Sequence, residues 1–211
     1  MTTLLRNARR RRRAQGDRGA ALVEVALITP VFALLLFGII EFGLTFRDYL
    51  TVANASRDGA RAASALGDDT YADYNTLQVI RQATKGFRPN EIQRVIIFNA
   101  GSVGGSVLNT SHPAHACLNA TVGITNVCNV YDAADLQLPK SSFGCKTGQS
   151  LDRYWCPSAL NGQDGREVRA SIGPDYVGVY VQSRHDFITG MFGPGLNLED
   201  ELVMRIEPQE L

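Results

Sequence analysis

Hydrophobic and polar positions divide the chain into a polar N-terminal stretch, one long apolar stretch and a mixed remainder. The apolar stretch covers residues 20–46, AALVEVALITPVFALLLFGIIEFGLTF, and its only ionisable residues are Glu24 and Glu41. Spanning the hydrocarbon core of a bilayer takes about 20 apolar helical residues. The pattern therefore predicts a transmembrane helix over residues 20–46, and Pro30 is expected to kink it because proline removes one backbone hydrogen bond.

Residues 47–66 are expected to extend this helix as a stalk. Small residues recur four positions apart on one face, at Ala55, Gly59 and Ala63. Such a stripe predicts close packing against the domain that follows or against a neighbouring subunit. Arg57 and Arg61 are also four apart, and we expect them to take part in helix packing together with the stripe. The alternative is an ordinary alanine-rich stalk with a solvated basic face.

Residues 67–211 carry signals for both helices and strands. Gly67 ends the long helix. The periodicities predict an amphipathic helix over 73–86 and strands over 91–99, 175–187 and 201–207, with a long loop region over 100–165. Two helices and at least three strands without a βαβ repeat predict an α+β domain. Its small antiparallel sheet is expected to pack on the stalk helix, in a pilin-like outline.

Charge is balanced over the whole chain but not along it. The 211 residues carry 21 basic and 21 acidic side chains, yet residues 1–19 hold seven arginines and one aspartate. The leader is thus +6 and the remainder −6. By the positive-inside rule the N-terminus lies in the cytoplasm and residues from about 47 onward are exported. The basic run is interpreted as a topology determinant that contacts membrane lipid, not as a nucleic-acid site.

A cleaved secretory signal is the competing interpretation of the N-terminus. Its cleavage site needs small residues in an A-x-A arrangement directly after a short apolar core. The first such arrangement downstream is residues 53–55, which lie behind Arg47 and Asp48. We therefore expect the apolar segment to stay attached.

Glu24 lies just inside the apolar segment, where a carboxylate costs a few kcal/mol on insertion scales. It either reaches back to the cytoplasmic interface or serves a function. Glu24 is the fifth residue after Gly19, which ends the arginine-rich leader. A basic leader ending in glycine, four apolar residues, a glutamate and a further apolar helix is the arrangement of type IV prepilins.

A closer resemblance rests on residues 19–27, GAALVEVAL, with Pro30 in the span, the FG pair at 42–43, and residues 54–63, NASRDGARAA. These stretches resemble the TadE-like family, the pseudopilins of tight-adherence (Flp-type) pilus systems. The similarity covers about residues 17–65, and the closing MRIEP of 204–208 is only weakly similar. Major Flp pilins are very short and carry tyrosine after the glutamate, whereas Val25 and a large domain follow here. The resemblance therefore implies a minor or accessory pseudopilin.

The resemblance also implies processing and partners. A prepilin peptidase would cut between Gly19 and Ala20 on the cytoplasmic side, and Glu24 would pair with the new α-amine of a neighbouring subunit during assembly. The implied partners are this peptidase, other pilin or pseudopilin subunits, and the inner-membrane pilus assembly platform, with no nucleic acid. The chain is expected to be a single-pass protein of the cytoplasmic membrane that joins a surface filament after processing.

Four cysteines lie in the 100–165 loop region, at Cys117, Cys128, Cys145 and Cys156. In an oxidising compartment they predict two disulfides with three connectivities, and the spacing of 11, 17 and 11 favours pairing in sequence order. Zinc binding by His112, His115 and Cys117 is the alternative, although no zinc-ligand spacing is present. His185 is expected to be a surface residue.

Enzyme signatures are missing: the sequence has no G-x-S-x-G, Walker, H-E-x-x-H or helix-opening G-x-G-x-x-G motif. No catalysis, cofactor or metal is therefore expected. Asp164 and Gly165 with Glu167 are the alternative of a calcium loop, but residues 161–165 are interpreted more simply as a turn. Two further hypotheses stay open. One is an uncleaved single-pass anchor that presents a disulfide-stapled binding module, and the other is a membrane-tethered hydrolase.

Overall fold

The computed structural model describes residues 2–88, 91–146, 148–159 and 165–208, with only the backbone for residues 2–18. It divides into two compact units, Met1–Thr45 and Phe46–Leu211. The first unit consists of the N-terminal part of helix α1, which spans Thr2–Leu66. This helix begins in the arginine-rich leader, well before the expected start at Ala20, in keeping with the high helix propensity of arginine and alanine.

The second unit is α+β, as predicted. Besides the end of α1 it contains helix α2, Ala72–Ala83, and four strands: β1 Ile92–Asn99, β2 Cys128–Tyr131, β3 Tyr176–Asp186 and β4 Gly195–Arg205. The strand order is β2-β1-β3-β4, and every neighbouring pair is antiparallel. The predicted small antiparallel sheet is therefore confirmed.

Helix α1 ends where the sequence places its stop signal. Gly67 adopts a left-handed backbone with φ of 53°, and its N–H donates to Ala63 O at 3.2 Å. Glycine carries no Cβ, so this conformation costs it little. Helix α2 ends at Ala83, three residues before the predicted end, and the chain then turns toward β1.

Both faces of the sheet are covered, which explains the unbroken apolar run of β1. Val95 and Ile97 belong to the core formed with α1 and α2, whereas Ile96 and Phe98 belong to a second core on the opposite face. A strand buried on both sides needs apolar residues at consecutive positions. Segments from the 100–127 region supply the second cover, including the 3₁₀ turn Pro113–Leu118.

The prediction of an irregular 100–165 region was therefore incomplete. Of its described residues, Cys128–Tyr131 form the edge strand β2, and short 3₁₀ turns occupy Pro113–Leu118, Asp135–Gln137 and Lys140–Ser142. A four-residue strand is too short to show a period of two. Its pairing with β1, Ile97 opposite Asn129, supplies what the local pattern lacks.

Strand β4 begins at Gly195, six residues before the predicted start at Glu201. The predicted start of this strand was wrong because consecutive acidic residues at 199–201 interrupt the apolar alternation. Each of these carboxylates has a specific partner: Glu199 accepts from the Tyr180 hydroxyl at 2.6 Å, Asp200 from Ser56 and Glu201 from Ser106. Tertiary hydrogen bonds therefore allow three charges in a row within one strand.

The small-residue stripe of α1 packs inside the second unit. Ala55, Gly59 and Ala63 are buried, whereas Arg57 and Arg61 are exposed. A Cβ added at Gly59 would lie 2.9 Å from Ile80 Cδ1 of α2 and 3.1 Å from Val179 Cγ1 of β3. The stripe thus seats the helix on α2 and the sheet, while the two arginines form the solvated face.

Substituting Gly59 with leucine is expected to destabilise the protein by about 2–3 kcal/mol through overpacking, although leucine is the better helix former. The measurement is the urea midpoint of the full chain in detergent, followed by tryptophan fluorescence. Ala65→Leu, at an exposed position of the same helix, is the matched control and should leave the midpoint nearly unchanged. Equal midpoints for the two variants would contradict close packing at Gly59.

Candidate functional site

The predicted processing and assembly residues all lie on helix α1. Gly19, Ala20 and Glu24 are helical and exposed, and Glu24 follows Ala20 by about one helical turn. A Cβ added at Gly19 would meet no atom within 4 Å. The fold of the chain therefore makes no demand for glycine at this position.

The helix after Gly19 exposes its apolar side chains. Leu22, Leu27 and Phe32 are 72, 73 and 66% exposed. Among the described residues, one helix, Gly19–Leu66, is long and apolar enough to cross a membrane, and its most apolar window has a mean hydropathy of 2.5. Side-chain hydroxyls inside it are satisfied locally, since Thr29 donates to Val25 O at 2.6 Å and Thr45 to Glu41 O at 2.9 Å. Such back-bonding lets a polar side chain lie in an apolar helix. The helix continues through Pro30, so the expected kink stays a prediction.

The cysteines form two disulfides, Cys117–Cys128 and Cys145–Cys156, the pairing that the spacing favours. Cys117 is therefore not available as a thiolate ligand. His115 Nδ1 donates to Val107 O at 3.0 Å, and His112 Nδ1 accepts from Ala114 N at 3.2 Å. Within the described residues, no group of three or more metal-ligating side chains comes together.

The calcium-loop alternative falls partly on residues 161–164, which lie outside the described residues. Its acidic member Glu167 is paired with Arg169, at 2.7 Å between Oε2 and Nη2. This hydrogen-bonded guanidinium lowers the pKa of Glu167 to about 2. The carboxylate is thus occupied by a cationic side chain.

His185 is buried, so the expectation of a surface residue was wrong. Its Nδ1 donates to Asp48 Oδ2 at 2.7 Å, and Asp48 Oδ1 accepts from Arg47 Nε at 2.9 Å. This contact joins the C-terminal end of β3 to the beginning of the stalk. The two residues are 137 positions apart, and no local sequence signal connects them.

A buried polar cluster, which the sequence did not reveal, joins α2 to the disulfide-containing region. Asp73 Oδ1 lies 2.5 Å from Arg166 Nη2, with both side chains fully buried. Asp73 Oδ2 accepts from Tyr131 Oη at 2.7 Å and from Asn129 Nδ2 at 2.8 Å. The Arg166 guanidinium also lies 4.2 Å from the ring centre of Trp155. The cluster therefore neutralises its own charges and holds three segments together.

Burial sets the protonation of the groups around this cluster. Desolvation, followed by the Asp73 and Asp152 carboxylates, raises the pKa of Tyr131 well above its ordinary value, so the phenol stays a hydrogen-bond donor. Burial and the Asp73 carboxylate raise the pKa of Asp152, while N–H groups of Gly144 and Cys145 donate to it at 2.8 and 3.0 Å. These carboxylates act as acceptors for fixed protein donors, which is a structural role.

A cleft of about 290 Å³ lies beside the end of α2. Arg81, Lys85 and Arg88 supply its cationic side chains, and Phe87 and Ile92 its apolar ones. Thr84, which also lines it, donates its hydroxyl to Ile80 O at 2.8 Å. This lining contains no pairing of a nucleophile with a base.

The fold and these sites define a class: an α+β protein with an N-terminal helix suited to a membrane anchor and a disulfide-linked domain after it. Residues 19–61 match the family model of TadE-like proteins, which confirms the resemblance seen in the sequence. The match begins at Gly19, includes Glu24 and reaches the buried stripe, so the chain is similar to this pilus-related family over 43 of its 211 residues. No curated protein and no solved structure matches the chain.

Proposed function

We propose that this chain is a TadE-like minor pseudopilin of a tight-adherence pilus system. In this proposal a prepilin peptidase cuts after Gly19, and the mature helix assembles with other pilin or pseudopilin subunits on the inner-membrane platform. The observation that carries the proposal is the coincidence of three features at one point. The basic leader ends at Gly19, the family match begins there, and the apolar stretch starts at the next residue, Ala20.

The glycine itself supports a cleavage site. A glycine inside a helix costs about 0.5–1 kcal/mol relative to alanine, and Gly19 gains nothing from packing in return. A narrow peptidase cleft, by contrast, can hold an extended residue more easily when it has no side chain. The requirement for glycine at Gly19 would therefore come from the peptidase and not from the fold.

The charge distribution gives the cut a physical consequence. Removing residues 1–19 takes away seven arginines and one aspartate, and it creates a cationic α-amine at Ala20. The exposed apolar helix is then free of the leader that retains it on the cytoplasmic side. Glu24 would provide the countercharge for that amine in the next subunit.

The exported domain has the properties of a displayed structural module. Its sheet is covered on both faces, two disulfides close its loops, and no catalytic pairing lies in the cleft beside α2. We therefore assign it a structural role without enzymatic activity. An uncleaved anchor with a binding module is the rival hypothesis, and it predicts that the leader is retained.

Mass spectrometry of the N-terminal peptide from membrane-extracted protein tests the proposal. The mature chain is expected to begin at Ala20, and Gly19→Leu is expected to retain the leader because the leucine side chain does not fit the narrow cleft. Gly16→Leu, a substitution inside the leader, is the matched control and should be cleaved normally. A mature chain that begins at Met1, or downstream of Glu24, would overturn the proposal.

A further inference from the structure

The loop between β3 and β4 exposes an uncharged apolar surface. Residues 187–194 read FITGMFGP and contain no ionisable side chain. Ile188, Met191 and Phe192 are 71, 50 and 40% exposed, and they lie within five consecutive positions. Large apolar side chains clustered at the tip of a hairpin are typical of a contact surface.

The direction in which β3 runs along the stalk helix places this loop at one end of the domain. Gly59 approaches Val179, and six residues further along β3 His185 is bonded to Asp48. At the other end Ser64 donates its hydroxyl to Arg205 O at 2.6 Å, opposite the beginning of β3. Strand β3 thus runs toward the N-terminal end of the stalk, and the loop follows it at that end.

Aromatic contacts connect the loop to the Asp48–His185 pair. The His185 ring lies 5.6 Å from that of Phe187, which in turn lies 6.4 Å from that of Phe192, both in edge-on geometry. Gly195 closes the hairpin with φ of 142°, where a Cβ would clash with His185 O. The loop is therefore tied to the residues of the stalk that come first after the apolar segment.

That position coincides with the boundary of the apolar segment. Asp48 follows Phe46, the last residue of that segment, by two positions, about 3 Å along a helix. If residues 20–46 span a bilayer with residues 47 onward outside, this level is the lipid headgroup region. Aromatic and aliphatic side chains at that level enter the headgroup–acyl boundary favourably.

We propose that the 187–194 loop is a second membrane contact, in which Ile188, Met191 and Phe192 insert into the outer lipid interface. The absence of charge in the loop keeps the desolvation cost of insertion low. Together with the anchoring helix, the contact would fix the height and tilt of the domain on the membrane before assembly. This inference rests on the membrane orientation in the proposed function, but not on cleavage or filament formation.

Tryptophan quenching by brominated lipid tests the contact on the full chain in phosphatidylcholine vesicles. Phe192→Trp is expected to lose about half of its added fluorescence when the acyl chains carry bromine near the headgroup, because the indole lies at that depth. Met191→Trp is a second variant with the same expectation. The wild-type chain, whose single tryptophan is the buried Trp155, supplies the background.

Val103→Trp is the matched control. Val103 is 88% exposed, and the adjacent Gly104 faces Tyr176 at the opposite end of β3. Its indole should not be quenched.

Lack of quenching in both loop variants, while the protein resists alkaline extraction from the vesicles, would overturn the loop contact alone. A blue-shifted but unquenched emission would instead show that protein covers the loop. Release by alkaline extraction would overturn the membrane anchor and the loop contact together.

Discussion

Glu24→Gln is expected to be cleaved normally and to assemble almost no filaments. After the proposed cut, the α-amine of Ala20 is a charge at a helix N-terminus that must enter an apolar environment. A glutamate from the neighbouring subunit would neutralise it, and the positive end of the helix dipole adds to the attraction. Glutamine keeps the size and hydrogen-bonding capacity of the side chain but removes the charge, which leaves the buried amine uncompensated.

The measurement separates processing from assembly. The N-terminal peptide reports cleavage, and the sheared surface fraction, probed by immunoblot and electron microscopy, reports filaments. Glu24→Asp keeps the charge and should retain measurable assembly, whereas Val25→Ala, at an exposed neighbouring position, should assemble normally. Wild-type filament levels in Glu24→Gln would contradict the role of Glu24 in assembly. Loss of cleavage in that variant would place Glu24 at the peptidase step instead.

Asp73→Ala is expected to cost about 3–5 kcal/mol of folding stability, a large share of the 5–15 kcal/mol typical of a domain. The substitution leaves the Arg166 guanidinium buried without its counterion. It also removes the carboxylate that accepts from Tyr131 Oη and one of the two acceptors of Asn129 Nδ2, both on β2. The effect is large because the Asp73 carboxylate neutralises the charge of Arg166 and also accepts hydrogen bonds from β2.

Urea unfolding of the full chain in detergent, followed by Trp155 fluorescence, measures this effect at the cluster itself, since the Trp155 ring packs against Arg166. Arg169→Ala, which removes an exposed ion pair with Glu167, is the matched control and should shift the midpoint little. The double variant Asp73→Leu with Arg166→Met removes both charges and should recover part of the loss. Equal midpoints for Asp73→Ala and Arg169→Ala would contradict the importance of the buried pair.

Local patterns predicted the elements whose signals are short-ranged. The apolar run of 20–46, the small-residue spacing of 55–63 and the continuous apolar strand at Val95–Phe98 each depend on neighbouring residues. Of three possible disulfide connectivities, the spacing favoured the one that forms, in which each bridge closes a segment with a separation of 11. Each of these signals lies within 40 consecutive residues.

The features that the sequence did not predict, or predicted wrongly, all depend on contacts between residues far apart in the chain. Strand β2 is recognised only through its pairing with β1, and β4 tolerates its acidic run only through partners on α1, β3 and the 100–107 segment. His185 looked like a surface residue because Asp48, its partner, is 137 positions away. Arg166 and Asp73 are 93 positions apart, and each taken alone resembles an ordinary surface charge.

The sequence by itself determined the features of the N-terminal segment: a basic leader, a glycine, a glutamate within the apolar stretch and an apolar helix, in an order similar to that of TadE-like proteins. Hydrophobicity and periodicity are sufficient to predict this helix, because a helix forms its backbone hydrogen bonds within its own segment. Only the tertiary structure decided which charges are buried, which strand completes the sheet, and that the apolar 187–194 loop directly follows the His185–Asp48 contact. Those features depend on which distant residues meet, because a charged side chain stabilises the domain only when its partner is buried beside it.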